Sequence, residues 1–540
     1  MNERKRISSG NSLRTMDFAA FSNRLDQVSE SNSGGPNLFV KTGFEYFIDP
    51  SQSLAISTTI SNGNRTSDGT TSTIDSGPGD RKFIRTTSGN NDRNGYDVNL
   101  NYDKKFKNPK QKLTTYARFS DGINDGLDEY YNTDNGGVDY VDLDRAANGQ
   151  DGTSSGYDFK LDYVHPFNEG SKLEVGFASK STDRGDSQIA EIFNEATNSF
   201  VSDREFSNEF EYNETVHAAY LQYGGSIGFF GINAGGRYET VDMFSELKTT
   251  NEKFENPYSS FYPSLSVTFG APQLLQIQTS YSKRVNRPRS RMINPFSSRQ
   301  DNKNIRVGNP FLKPEYTDSY EINFSRFSRG LSLSLGGYYR HTTDKMQRHK
   351  EMRADGVSVA TYANIKDQKT QGIDYSIVGS LGKKLRLMFS GSVFWDEINT
   401  DLYGSDYDNT AQGQRLRFTT MWNINPTTEF SFFMFYMPAR DIAIGRMDAM
   451  SFSSMSVKKK FMDERFNLTL NVGDPFNLSG FSFYTSGDNW EQESSRNWSS
   501  RTIRLTLEYR FGKMEDKSRY SRQRGRGQGM DMEEGAGEIF

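Results

Sequence analysis

Apolar and polar residues alternate in short runs along most of this chain. Leu275, Ile277, Thr279 and Tyr281 fall on one side of a run whose other side is Gln276, Gln278 and Ser280. Tyr320, Ile322 and Phe324 alternate in the same way with Glu321 and Asn323. In Thr502–Phe511, Ile503, Leu505, Leu507, Tyr509 and Phe511 oppose Arg504, Thr506, Glu508 and Arg510. A period of two is the mark of a strand with one apolar face. It recurs from Leu38–Phe47 through Tyr96–Tyr102, Tyr157–Tyr163, Phe210–Tyr223, Ile227–Glu239, Leu331–His341, Val359–Gly379 and Leu385–Trp395 to the end of the alternation. The pattern predicts about 19 strands and places no helix with conviction.

The connections carry the next signal. They alternate between short (roughly three to ten residues) and long (roughly 12 to 37), as in a membrane barrel with tight turns on one rim and loops on the other. A sandwich has no reason for such parity, and a solenoid should show a fixed repeat, which is absent. Expected long loops include the Gly/Ser/Thr/Asp stretch reaching Asn94, the acidic stretch Asp121 to Ser155, and the stretch between Tyr281 and Tyr320. Four prolines in the last (Pro288, Pro295, Pro310, Pro314) exclude a regular central strand or a helix interior. Strand direction adds a constraint. Leu38–Phe47 and Thr502–Phe511 both run toward the short-turn rim, so an antiparallel sheet needs an upward strand before Leu38, drawn from Thr15 to Val28. The expectation is an all-β, large antiparallel transmembrane barrel of about 19–22 strands, cut near its start.

Composition agrees with a membrane sheet more than with a soluble domain. Only 34% of the 540 residues are apolar, yet Phe and Tyr number 40 and 28, too many for a disordered chain. No window of about 18 apolar residues exists, which excludes a helical span and leaves a strand barrel open. The start, Met1 to Gly10, is basic without an apolar stretch after it and does not resemble a secretory leader. No cysteine and four histidines exclude a thiolate metal site, and a net charge of -4 gives no reason to bind nucleic acid. No phosphate-loop spacing or nucleophile triad is present, so no enzyme activity and no cofactor are expected. Seven aspartates from Asp121 to Asp144 suggest calcium, but the twelve-residue cation loop is absent. Met434 and Met437 among Phe432, Phe433, Phe435 and Tyr436, with Trp395, Trp422, Trp490 and Trp498, suit interface girdles.

Several motifs resemble the outer-membrane β-barrel family of the TonB-dependent receptor superfamily, in its Bacteroidetes-type form. They are Tyr281-Ser-Lys-Arg-Val-Asn-Arg-Pro with Ile293-Asn-Pro-Phe, and Arg306-Val-Gly-Asn-Pro-Phe-Leu-Lys-Pro-Glu. Gly235-Gly-Arg-Tyr-Glu, Val472-Gly-Asp-Pro-Phe-Asn and the closing Leu507-Glu-Tyr-Arg-Phe-Gly-Lys fit as well. The resemblance implies a 22-stranded barrel and, in a complete member, an N-terminal plug with a box that engages TonB; this chain has no room for either, so the barrel portion alone is expected.

The expected organisation is a polar segment 1–37 with room for one barrel strand, a barrel over 38–513, and a charged periplasmic tail over 514–540. Such a protein sits in the cell outer membrane with its long loops outside, against lipid and lipopolysaccharide, and binds an external solute. TonB, through the plug, and a surface lipoprotein are the partners implied. A structural or surface-binding protein and an unplugged passive pore are the alternatives. Candidate ligand contacts are Arg284, Arg287, Arg306, Lys313 and Glu315, for which stiffening and bracing of the loop is the plainer reading. Arg237, Glu239, Arg504, Glu508 and Arg510 are expected to face the lumen.

Overall fold

Each strand of the chain finds its partners in its sequence neighbours, and the last finds the first. A computed structural model describes all residues except 1, 19–20, 77–80, 135–144, 195, 205, 272, 297, 302–303, 354–355, 401–408, 443–444, 488, 499–500 and 510–540. The 28 strand segments belong to one sheet. Six of them are rim pieces of three or four residues, and two wall strands are each interrupted once, which leaves 20 wall strands among the described residues. Asn2–Phe18 is the upward strand that direction parity requires, but it lies earlier than the expected Thr15 to Val28, whose second half, from Phe21 on, belongs to the next, downward strand. It pairs with Phe21–Asp49 on one side and with Trp490–Trp498 on the other, from Ser8↔Trp498 to Met16↔Trp490. The sheet therefore closes through these upper strands.

Closure is complete on the long-connection half alone. Thr502–Tyr509 ladders with Phe466–Gly473, and the lower part of Phe21–Asp49, from Leu38 on, ladders with Gln52–Ser76. Among the described residues neither has a ladder on its other edge. Ile503 is accordingly 75% exposed.

The strand faces sort as alternation predicts. Ile56, Leu100, Leu221, Leu265, Ile322, Leu335 and Ile377 are all exposed and stand on the outer, lipid side. Tyr281, Tyr320 and Tyr339 lie side by side across three strands with ring centroids 5.0 and 6.4 Å apart, an aromatic row of the kind found at membrane interfaces.

Two expectations need correcting. The Gly/Ser/Thr/Asp stretch is ladder, not loop: Gln52–Ser76 and Arg81–Lys105 stay in register from Gln52↔Lys104 to Asp75↔Arg81. Lys112–Asp134 and Arg145–Pro166 likewise absorb most of the acidic stretch, pairing from Lys112↔Val164 to Tyr131↔Arg145. Above the membrane neither face meets lipid, so the apolar period stops while the backbone ladder continues. Asn, Asp and Ser side chains zip these extensions together, with Asn64 donating to Asn90 at 2.8 Å and to Asp92 at 2.7 Å. The upper half of the last upward strand, Gly480–Gly487, was also not foreseen; it resumes after Asp474, whose carboxylate accepts from the Leu478 and Ser479 N–H groups.

Candidate ligand site in the barrel lumen

The loop between the strands Leu275–Asn286 and Glu315–Ser328 turns inward. A one-turn helix, Ser290–Ile293, follows Pro288, and the chain then runs through two Asn-Pro-Phe turns. In each, the Asn side chain accepts the N–H two residues on: Asn294 from Phe296 at 3.1 Å and Asn309 from Phe311 at 3.0 Å. The two turns lie against each other. Gly308 N–H donates to the Asn294 carbonyl at 2.8 Å, and Asn309 N–H to the Met292 carbonyl at 2.7 Å. A Cβ at Gly308 would stand 2.3 Å from the Asn294 oxygen, so no side chain fits there.

This tuck buries Ile293 and Leu312 against Phe210, Tyr212, Met243 and Leu247 of the adjoining strands. Each fully buried side chain of this size contributes about 1.5–3 kcal/mol. Polar bonds fix its base. Buried Glu315 accepts from Asn286 at 2.6 Å and from the Met346 N–H at 2.9 Å, and pairs with Lys345 at 3.3 Å. Arg287 donates to Tyr258 at 2.7 Å and to Glu239, which also holds Arg237 at 2.5 Å. At its far end Asn304–Arg306 runs parallel to Ser358–Ala360, and Asn304 accepts from Arg14 of the first strand at 3.1 Å. Residues 290 apart in sequence thus meet across the lumen.

Beneath and beside the tuck lies a cavity of about 1180 Å³ walled by strands from all around the barrel. Among the described residues, twelve arginines and two lysines line it, with four carboxylates: Asp75, Glu315, Asp396 and Asp441. Arg14 is 2% exposed. Lys350, near the outer end of Leu331–Met352, donates to Gln492 and lies 4.5 Å from the Trp490 ring. Desolvation, with Arg14 and Arg348 nearby, pushes its ammonium down to about 6. Arg415 and Arg440 stack on buried Phe394 at 5.2 and 5.7 Å.

Of the residues singled out in the sequence, Arg287, Arg306 and Glu315 line this cavity. Arg284 and Lys313 are exposed and stand apart from its lining. Glu239 is buried and engaged with Arg237 and Arg287, while Arg504 is exposed and Glu508 accepts from Asn467 at 3.2 Å. Arg510 and the tail 514–540 lie outside the described residues. Sequence reasoning missed Arg14, Arg348 and Lys350. Their strands extend past the apolar alternation, and a signal existed only in the period-two spacing of Arg348 and Lys350.

Residues 104–509 match the outer membrane protein beta-barrel family. A search of curated proteins by sequence finds no match. Among solved structures, the copper transporter OprC is similar with a TM-score of 0.55 at 9% identity, over 92% of this chain and 80% of that one. The siderophore receptor PiuA from Acinetobacter baumannii gives 0.53 at 10% identity, over 91% and 81%. The ferric citrate transporter FecA in its unliganded form gives 0.52 at 10% identity, over 92% and 78%.

Proposed function

Because this chain belongs to the outer membrane protein beta-barrel family and is integral to the outer membrane, we propose that it is a receptor that binds an external solute in its lumen and admits it toward the periplasm. The observation that carries this reading is the cavity of about 1180 Å³ under an inward-folded loop. A cavity of that size takes a ligand larger than a single ion. The similar structures named above carry copper, ferric citrate and siderophores by their titles, so uptake of a scarce solute is the natural class. Energy from TonB, engaged through a plug in a complete homologue, belongs to this reading, and no covalent step does.

Planar-bilayer recording of the reconstituted chain tests it. A receptor whose lumen is filled by the 287–314 loop conducts little until residues 290–313 are replaced by a short Gly/Ser linker. Equal, steady, large conductance in both forms would make the protein a passive pore instead.

A second reading has one observation in its favour. The polar ladders within 62–76, 81–94, 121–134 and 145–155 rise beyond the apolar band and offer an extended surface. They suit contact with a polysaccharide or a surface lipoprotein without transport. Removing the upper parts of these hairpins while solute binding persists would count against that reading.

A further inference from the structure

We propose that the outer wall carries a seat for one acyl chain of a bilayer lipid, in a groove floored by Thr279 and Gly337 and roofed by Tyr281, Tyr320 and Tyr339. The groove holds about 420 Å³, within the range of small-molecule sites. Its shape follows from two successive rungs of the sheet. The upper rung sets Leu265, Tyr281, Tyr320 and Tyr339 side by side across four strands. The rung beneath sets Val267, Thr279, Ile322 and Gly337 side by side. Rings above small residues leave a hollow. A Cβ at Gly337 would meet an Ile322 methyl at 3.6 Å and no backbone. Leu265, Tyr320, Ile322 and Tyr339 are all exposed, so the hollow opens outward.

Position selects the occupant. One rung above the tyrosines, Lys283, Asp318, His341 and Lys369 stand in register on the same face. Lys283 lies 4.0 Å from Asp318, and Tyr281 donates to that carboxylate at 2.7 Å, which holds the roof to the charged rung. One rung below the floor stand Ile277, Phe324 and Leu335. The outer surface thus passes from charge, through tyrosine, to hydrocarbon, the order of a headgroup region over alkyl chains. The groove is continuous with the lipid-facing band and lies on its long-connection side. A lipid of that leaflet can lay one chain beneath the tyrosine rings and present its phosphate and amine to charges of both signs. Size favours a chain over a protein segment. The tyrosine rung and the Ile277 rung are four residues apart along each strand, roughly 13 Å. Once their side chains fill part of that span, a helix of about 10 Å diameter does not fit. This inference stands apart from the receptor reading, because a passive pore would keep the same outer wall.

The test refolds the full chain in a short-chain detergent, titrates it with dipalmitoyl phosphatidylethanolamine and counts bound lipid by native mass spectrometry. Gly337→Phe fills the floor from the lipid side and leaves the ladder intact. Thr279→Leu, on the neighbouring strand, fills it independently. Thr58→Phe, between outward Ile56 and Ile60 on a distant strand, is the control. Heat-dependent migration on gels verifies that each barrel is folded. One lipid is retained by the wild type and by Thr58→Phe, and folded Gly337→Phe or Thr279→Leu binds it about tenfold more weakly, the loss from withholding two methylenes of contact. Glycerophosphoethanolamine, the headgroup without chains, does not compete. Equal retention in the wild type and the folded groove variants overturns the inference, as does an equal loss in Thr58→Phe or competition by the chainless headgroup. A wild-type dimer that Gly337→Phe breaks, with no lipid held, overturns it and gives the groove to a second copy of the chain.

Discussion

Two long polar stretches look alike on paper and fold in opposite ways. Residues 62–76 and 81–94 extend the wall upward as ladder, whereas the described part of 287–314 leaves the wall and packs inside it. The first holds no proline in its described part, and its polar side chains zip across strands. The second has four prolines, two Asn-Pro-Phe turns, and apolar Met292, Ile293, Phe296 and Leu312 spaced to bury together. Removing ladder donors and adding a small apolar set turns a chain inward, while polarity by itself decides nothing.

The sharpest way to break this comparison is Gly308→Ala. Its methyl group would meet backbone at 2.3 Å, so the two turns separate and the tuck unseats. Bilayer conductance then rises toward that of the loop-replaced protein. Leu312→Ala is next. It keeps the backbone path and deletes a fully buried side chain, costing about 2–5 kcal/mol, read as a lower denaturation midpoint on gels. Thr70→Pro tests the other stretch. Thr70 pairs with both Glu30 and Thr86, and a proline there removes a ladder hydrogen-bond donor. The loss stays in the hairpin top, where protease cleavage increases while conductance is unchanged.

Lys350→Met changes stability in the opposite direction. Folding depresses this ammonium from 10.5 to about 6, so the folded protein binds fewer protons between those values and gains stability as pH rises through them. Replacing the amine therefore raises the melting temperature at pH 6, by an increment that shrinks toward pH 10.

What could be read from the sequence was the part that touches lipid. Strands such as Leu275–Asn286 and Glu315–Ser328 announce themselves because one face must be apolar. Asn2–Phe18 and the upper halves of the long strands do not, since water lies on both sides and only backbone pairing holds them. The base of the candidate site was legible for the same reason that its motif was: Arg287 and Glu315 flank prolines at the ends of alternating runs. Arg14 and Lys350 became partners in the cavity only through ring closure, a contact between chain ends that no local pattern encodes.

The long ladders also set how tall the molecule is. A strand of 25 residues such as Gln52–Ser76 measures about 80 Å at 3.3 Å per residue, which at a tilt near 40° is a height of about 60 Å. The apolar band of such barrels is about 25 Å tall. Much of this wall is therefore a turret standing clear of the apolar band on the long-connection side.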